Sequence, residues 1–210
     1  MASAVATVVF SLVYGVLLFA GLASRPAPDA AIGDPWLAAM QLMILVIAPT
    51  MVALIGSLYL RRAPDRKAIG RAAVLSMSIA ALMTCGVHIY LLMGSRASAQ
   101  EAFQWPSIAY ALDVVAWDVF FPMAALLAGA LVEGSGVARL ARNLLFISGL
   151  LALAGLAGVP TGDMQLRDIG ILGYAVAFPL AALALAAWFR QSVLSRRAAS
   201  SAKRARTERG

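Results

Sequence analysis

The chain has 210 residues, 62% of them hydrophobic and 13% charged, with a mean hydropathy of +0.85 and a net charge of +7. That apolar content excludes a soluble globular domain and defines an all-α integral membrane protein. A single histidine and a single cysteine exclude bis-histidine haem ligation, an intrachain disulfide and a CxxC redox pair.

Six apolar segments, 4–23, 36–60, 72–94, 107–132, 143–159 and 169–189, each contain or approach the ~20 residues that cross a ~30 Å hydrocarbon core as helix. They predict a six-helix transmembrane bundle over residues 1–190, with a basic tail over 191–210. The first segment, "VVFSLVYGVLLFAGLA", has no Lys or Arg before it and is long for a signal core, so it reads as a retained span. In the second, Gln41 follows Trp36 by five residues and Pro49 stands near mid-membrane in "VIAPTMVAL". The third carries "TCGVHIY", in which Thr84, Cys85 and His88 are spaced to share a face.

The fourth segment contains "AWDVFFPMAALLAG" and holds most of the chemistry. Tyr110, Asp113 and Trp117 share a face, whereas Asp113 and Asp118, five residues apart, are offset by about 140° on a regular helix. The offset predicts that the two carboxylates need not see the same partners, and it argues against an aspartyl dyad. At ~1.5 Å per residue, Asp118 lies roughly 18 Å below the boundary near Pro106. An ionised carboxylate facing lipid there costs about 2.5–3.5 kcal/mol, so Asp118 is expected to face the bundle or stay protonated. Pro122 has no amide hydrogen and frees the carbonyl of Asp118, which places carboxylate and free acceptor at one predicted kink.

Pro179 in "VAFPLAALAL" repeats the pattern, and "FPLAAL" resembles "FPMAAL" locally. The expected architecture therefore has proline-kinked even-numbered helices, with Pro49, Pro122 and Pro179 as candidate hinges. Three related hairpins, as in transporters built from parallel repeats, explain the pattern in one way. Prolines common in membrane helices, with carbonyls satisfied by neighbours, explain it in another, which the unequal proline spacings favour.

The "GSG" at 134–136 reads as a turn, and Gly149, Gly155 and Gly158 predict close packing of the fifth helix against a neighbour. In the following loop, "GVPTGDMQLRDIG", Pro160, Gly162 and Asp163 predict a turn and Asp168 a cap for the last helix. Arg167 is expected to pair with Asp163 or Asp168 at the surface, or to meet an anionic group entering from outside.

Basic residues set the expected orientation. Fourteen, including Arg61, Arg62, Arg66, Lys67, Arg71, Arg139, Arg142 and the tail as far as Arg209, fall on one side; only Arg25, Arg96 and Arg167 fall on the other. The acidic loops, with Asp29, Asp34, Glu101, Asp163 and Asp168, lie with the latter group. This predicts a bacterial inner (plasma) membrane protein with both termini cytoplasmic. The tail is expected to be flexible, or helical on contact, against anionic lipid headgroups. It lacks the aromatic interleaving of a nucleic-acid-binding segment. Membrane lipids, and a second copy or another membrane protein, are the other expected partners.

Gln41, His88, Tyr110, Asp113 and Tyr174, with Asp118 beneath them, are expected to line a cavity open to the outer side. Three functions fit that pattern: binding or proton-coupled transport of a small or lipid-like molecule, an intramembrane enzyme using a His88/Asp113 acid–base pair, and a structural subunit of a membrane complex. No cofactor is implied and no metal site is expected, since zinc would need His88 with two aspartates at unsuitable spacing.

Overall fold

The computed structural model describes residues 1–27, 32–61, 64–94 and 104–207. Arg62, Arg96 and Arg209 of the basic set, and Asp29 and Glu101 of the acidic one, lie outside the described residues. Six helices are long and apolar enough to cross a membrane, and no strand occurs among the described residues. The chain is thus a multi-pass membrane protein built as a helical bundle.

The helices are α1 (Ala2–Ala23), α2 (Trp36–Tyr59), α3 (Lys67–Met93), α4 (Ile108–Leu131), α5 (Val137–Gly155) and α6. Helix α6 comprises Arg167–Leu172, a π-helical turn Gly173–Ala177 and a long stretch Phe178–Thr207. Hydropathy locates these helices but trims them. Helices α3 and α5 begin before their apolar segments and carry Arg71, Arg139 and Arg142 inside the helix. Hydrogen bonding continues where the chain leaves the apolar layer, and basic side chains can extend their heads toward water.

Burial ranks the helices. More than half of the most apolar window of α4 is buried (56%), against 11% for α1, which makes α4 the central helix and α1 a peripheral one. Helix α4 packs against α3 and α5 and meets α6 through side chains, while α1 rests on α2 and α6. The core at the centre is Phe121, Phe178, Leu54, Ile55, Met77 and Leu145 among many alanines.

Two of the three prolines sit directly after π-helical turns. In α4 the turn is Ala116–Phe120, closed by the Phe121 N–H donating to the Ala116 carbonyl; in α6 it is Gly173–Ala177, closed by Phe178 N–H to Gly173. Each turn takes one residue more than an α-turn just before a residue that cannot donate. Pro49, preceded by Ala48, lies within the continuous helix Trp36–Tyr59.

The two π turns face each other. Trp117 lies tilted against Tyr174 with ring centroids 4.9 Å apart, Phe121 meets Phe178 at 5.1 Å, and the Arg167 guanidinium lies 4.7 Å from the Tyr110 ring. Each of these pairs joins positions 57 apart in the chain. A residue of α4 thus meets its own counterpart on α6, a local two-fold relation between parallel helices in matching register. Helix α2 is not part of it.

The predicted tight packing of α5 is present, against α4 at Gly149 and against α6 at Gly155. A Cβ on Gly155 would lie 2.8 Å from the Gly170 Cα, and one on Gly173 would lie 2.6 Å from the Ser148 carbonyl oxygen. The "GSG" segment is a turn, with Gly134 at φ 122° and Gly136 at φ 59°. The cap before α6 differs from expectation. Asp163, rather than Asp168, accepts from the Gln165 N–H at 3.0 Å and caps the short 3₁₀ turn Met164–Leu166 that leads into the helix. The added turn moves Asp168 past the capping position and into the first helical turn.

Candidate functional site: a buried carboxylate–guanidinium cluster

Three of the predicted site residues, Tyr110, Asp113 and Asp118, meet at one unexpected centre, Arg167. Its Nε donates to Asp118 Oδ2 at 2.9 Å and its Nη2 to Asp113 Oδ2 at 3.0 Å. Neither Asp163 nor Asp168 is its partner in these bonds. The arginine side chain is 8% exposed, that of Asp113 7% and that of Asp118 0%, so the pairing that sequence placed at the surface lies in the bundle interior. Arg167 begins α6, and the one-turn helix Gly158–Thr161, the left-handed Gly162 and the 3₁₀ turn carry the chain into it.

The π turn explains how one guanidinium reaches both aspartates. On a regular helix they stand about 140° apart. A turn closed from residue i+5 back to i places fifth neighbours closer to one face, and Ala116–Phe120 contains Asp118. The offset that argued against shared partners is therefore reduced by the local helix type.

Around this pair lies a second layer. Thr84 of α3 donates from Oγ1 to Asp113 Oδ1 at 3.1 Å, and the Trp117 Nε1–H donates to Thr84 Oγ1 at 3.0 Å. Trp117, which no interfacial belt explains, is thus an internal hydrogen-bonded ring. His88 Nε2 stands 3.8 Å from Asp113 Oδ1, beyond hydrogen-bond length but within ionic reach. Tyr174 stacks on Trp117, and Tyr14 of α1 lies within electrostatic range of Asp113 and Arg167. Gln41 is buried on α2 and makes no hydrogen bond to the cluster among the described residues.

One atom of the cluster has no hydrogen-bond partner among the described residues: Asp118 Oδ1, fully buried. It faces α6 where Gly170 has no side chain, since a Cβ there would lie 2.9 Å from this oxygen. A crevice of about 10 Å³ lies beside Thr84 and Trp117, lined also by Met51, Met77 and Phe121 among others. A larger groove of about 620 Å³ runs between α3 and α4 past Leu82, Val87, Tyr90 and Leu112, and none of the predicted site residues lines it.

The formal charges do not cancel. Two carboxylates face one guanidinium, so a negative charge remains unless a proton or a cation is held. Leaving it uncompensated at this burial is costly, because desolvation penalises any unpaired ion. No group of three or more His, Cys, Asp or Glu residues able to hold a metal ion occurs among the described residues. No protein-family model, curated protein or solved structure matches the chain.

Proposed function

We propose that this protein moves a small or lipid-like molecule across the membrane in step with a proton, and that the Asp113–Asp118–Arg167 cluster is the proton-binding element. The observation that carries the reading is the charge imbalance: two buried carboxylates share one guanidinium. One proton on Asp113, Asp118 or His88 balances the site, and its release creates a charge that favours opening to water. The facing π turns of α4 and α6 support it, because π turns and paired repeats recur where membrane helices rearrange around a central site. Pro122 and Pro179 are the hinge positions in this reading, and the termini lie on the cytoplasmic side of the plasma membrane.

An acid–base enzyme built on His88 and Asp113 has less support. At 3.8 Å the two do not share a hydrogen bond, and Asp113 already engages Thr84 and Arg167.

The proposal is tested by following tryptophan fluorescence of the full chain in proteoliposomes as pH is varied. Groups facing the site are Asp113 and Asp118 of α4, Arg167 and Tyr174 of α6, His88 of α3, Tyr14 of α1 and Tyr110. The expected result is a transition that Asp118→Asn and Asp113→Asn each displace or abolish, with loss of proton movement. An identical transition in wild type and both variants would falsify the assignment.

A further inference from the structure

We infer that the cluster is a binding site for a planar organic cation of the guanidinium type, with Arg167 occupying it as a tethered stand-in. This rests on the transport reading above and names the class of molecule transported.

The guanidinium of Arg167 is held as a ligand would be. Two carboxylates on one helix grip it through separate nitrogens, and the Tyr110 ring covers it at 4.7 Å. Carboxylates match the N–H fork of a guanidinium, and an aromatic face favours a weakly hydrated planar cation. The grip is incomplete, since Asp118 Oδ1, fully buried, has no donor among the described residues. A free guanidinium presents five or more N–H donors without a side-chain stem and can serve that oxygen as well.

Arg167 is attached where it can withdraw. It begins α6, after the short turns between Gly158 and Leu166, rather than at the middle of a packed helix. The crevice beside Trp117 and Thr84, about 10 Å³, has Met51 and Met77 in its lining. Methionine side chains rearrange readily, so this wall can admit the apolar body of a ligand whose cationic head is at the carboxylates. Trp117, stacked with Tyr174 and Phe121, supplies a flat aromatic surface for the same body.

The test uses purified full chain in detergent and two probes of the same shape, phenylguanidine and its neutral isostere phenylurea. Binding is measured by calorimetry and by the shift in melting temperature. Arg167→Gln removes the tethered competitor, whose effective concentration is high, and is expected to bind phenylguanidine about tenfold or more tightly than wild type. It should also regain thermal stability on adding phenylguanidine, with phenylurea giving neither effect. Adding Asp118→Asn to this variant should remove most of the gain. If Arg167→Gln alone does not fold, Arg167→Gln combined with Asp113→Asn, which removes one charge of each sign, takes its place. A folded variant that binds phenylguanidine no better than phenylurea overturns the inference. The pH-dependent fluorescence transition separates the two proposals. If it persists without phenylguanidine binding, the substrate class fails alone; if binding occurs without it, the cation site stands and the proton reading fails.

Discussion

Two ion pairs are carried by α4 and the residues just beyond it, at the same length and with opposite meanings. Asp118 meets Arg167 at 2.9 Å with side chains 0% and 8% exposed; Glu133 meets Arg66 at 2.9 Å with side chains 56% and 40% exposed. Arg66 also donates to the Ala130 carbonyl at 3.0 Å, tying α3 to the last turn of α4. In water the second pair gains little, because solvent and side-chain entropy cancel most of the attraction. In the bundle the first pair is not a large net gain either, but each ion there depends on the other. Distance therefore says where charges are, and burial says which are indispensable.

The largest effect expected from breaking this contrast is Arg167→Met, which strands two carboxylates and should cost about 3–5 kcal/mol in unfolding measured in detergent. Combining it with Asp118→Asn should recover part of the loss. If Arg66→Met costs as much as Arg167→Met, the distinction drawn from burial is wrong.

Next in size is Gly173→Ala. Its Cβ would fall 2.6 Å from the Ser148 carbonyl oxygen and 2.8 Å from the Ala152 nitrogen, both backbone atoms, so α5 and α6 must separate. A loss of about 1–3 kcal/mol is expected in the same unfolding assay. Gly15→Ala on the peripheral α1 meets nothing within 4 Å and should be neutral or slightly stabilising.

A smaller loss, about 1 kcal/mol, is expected for Trp117→Phe, which deletes the Nε1–H bond to Thr84 while keeping a ring against Tyr174. Its pH-dependent proton movement should survive, since no titrating group is removed. Smallest is Glu133→Gln, expected within about 0.5 kcal/mol of wild type. A loss comparable to that of Arg167→Met would show that the exposed pair is part of a larger cooperative unit.

The helices were legible because hydropathy alone separates spans from connections, and the ends of α3 and α5 were missed because arginines look like loop while remaining helical. Gln41, His88 and Asp113 were grouped by depth, which follows from counting; His88 Nε2 stands 3.8 Å from Asp113 Oδ1, whereas Gln41 makes no hydrogen bond to the cluster among the described residues. Arg167 was legible only as a basic residue in an acidic loop. Its pairing across 49 and 54 positions depends on helix rotation and on a π turn, neither of which a hydrophobic pattern encodes. Glycine was the one available signal: Gly170, three residues beyond Arg167, leaves the space in which Asp118 sits.

The extra residue stored in the Ala116–Phe120 turn makes α4 sensitive to length in a way ordinary substitutions do not reveal. Deleting Val119 would leave α4 ample reach to cross the bilayer while letting the turn relax into regular α-helix. Because the turn absorbs that extra residue, the helix segments on either side would keep their phase, while Asp113 and Asp118 would return to an offset of about 140°. Asp118, inside the former turn, would swing away from the guanidinium while Tyr110 and Asp113 kept their places. The span would survive as a hydrophobic rod, and the three-way meeting of two acids with one base would be lost through local helix type alone.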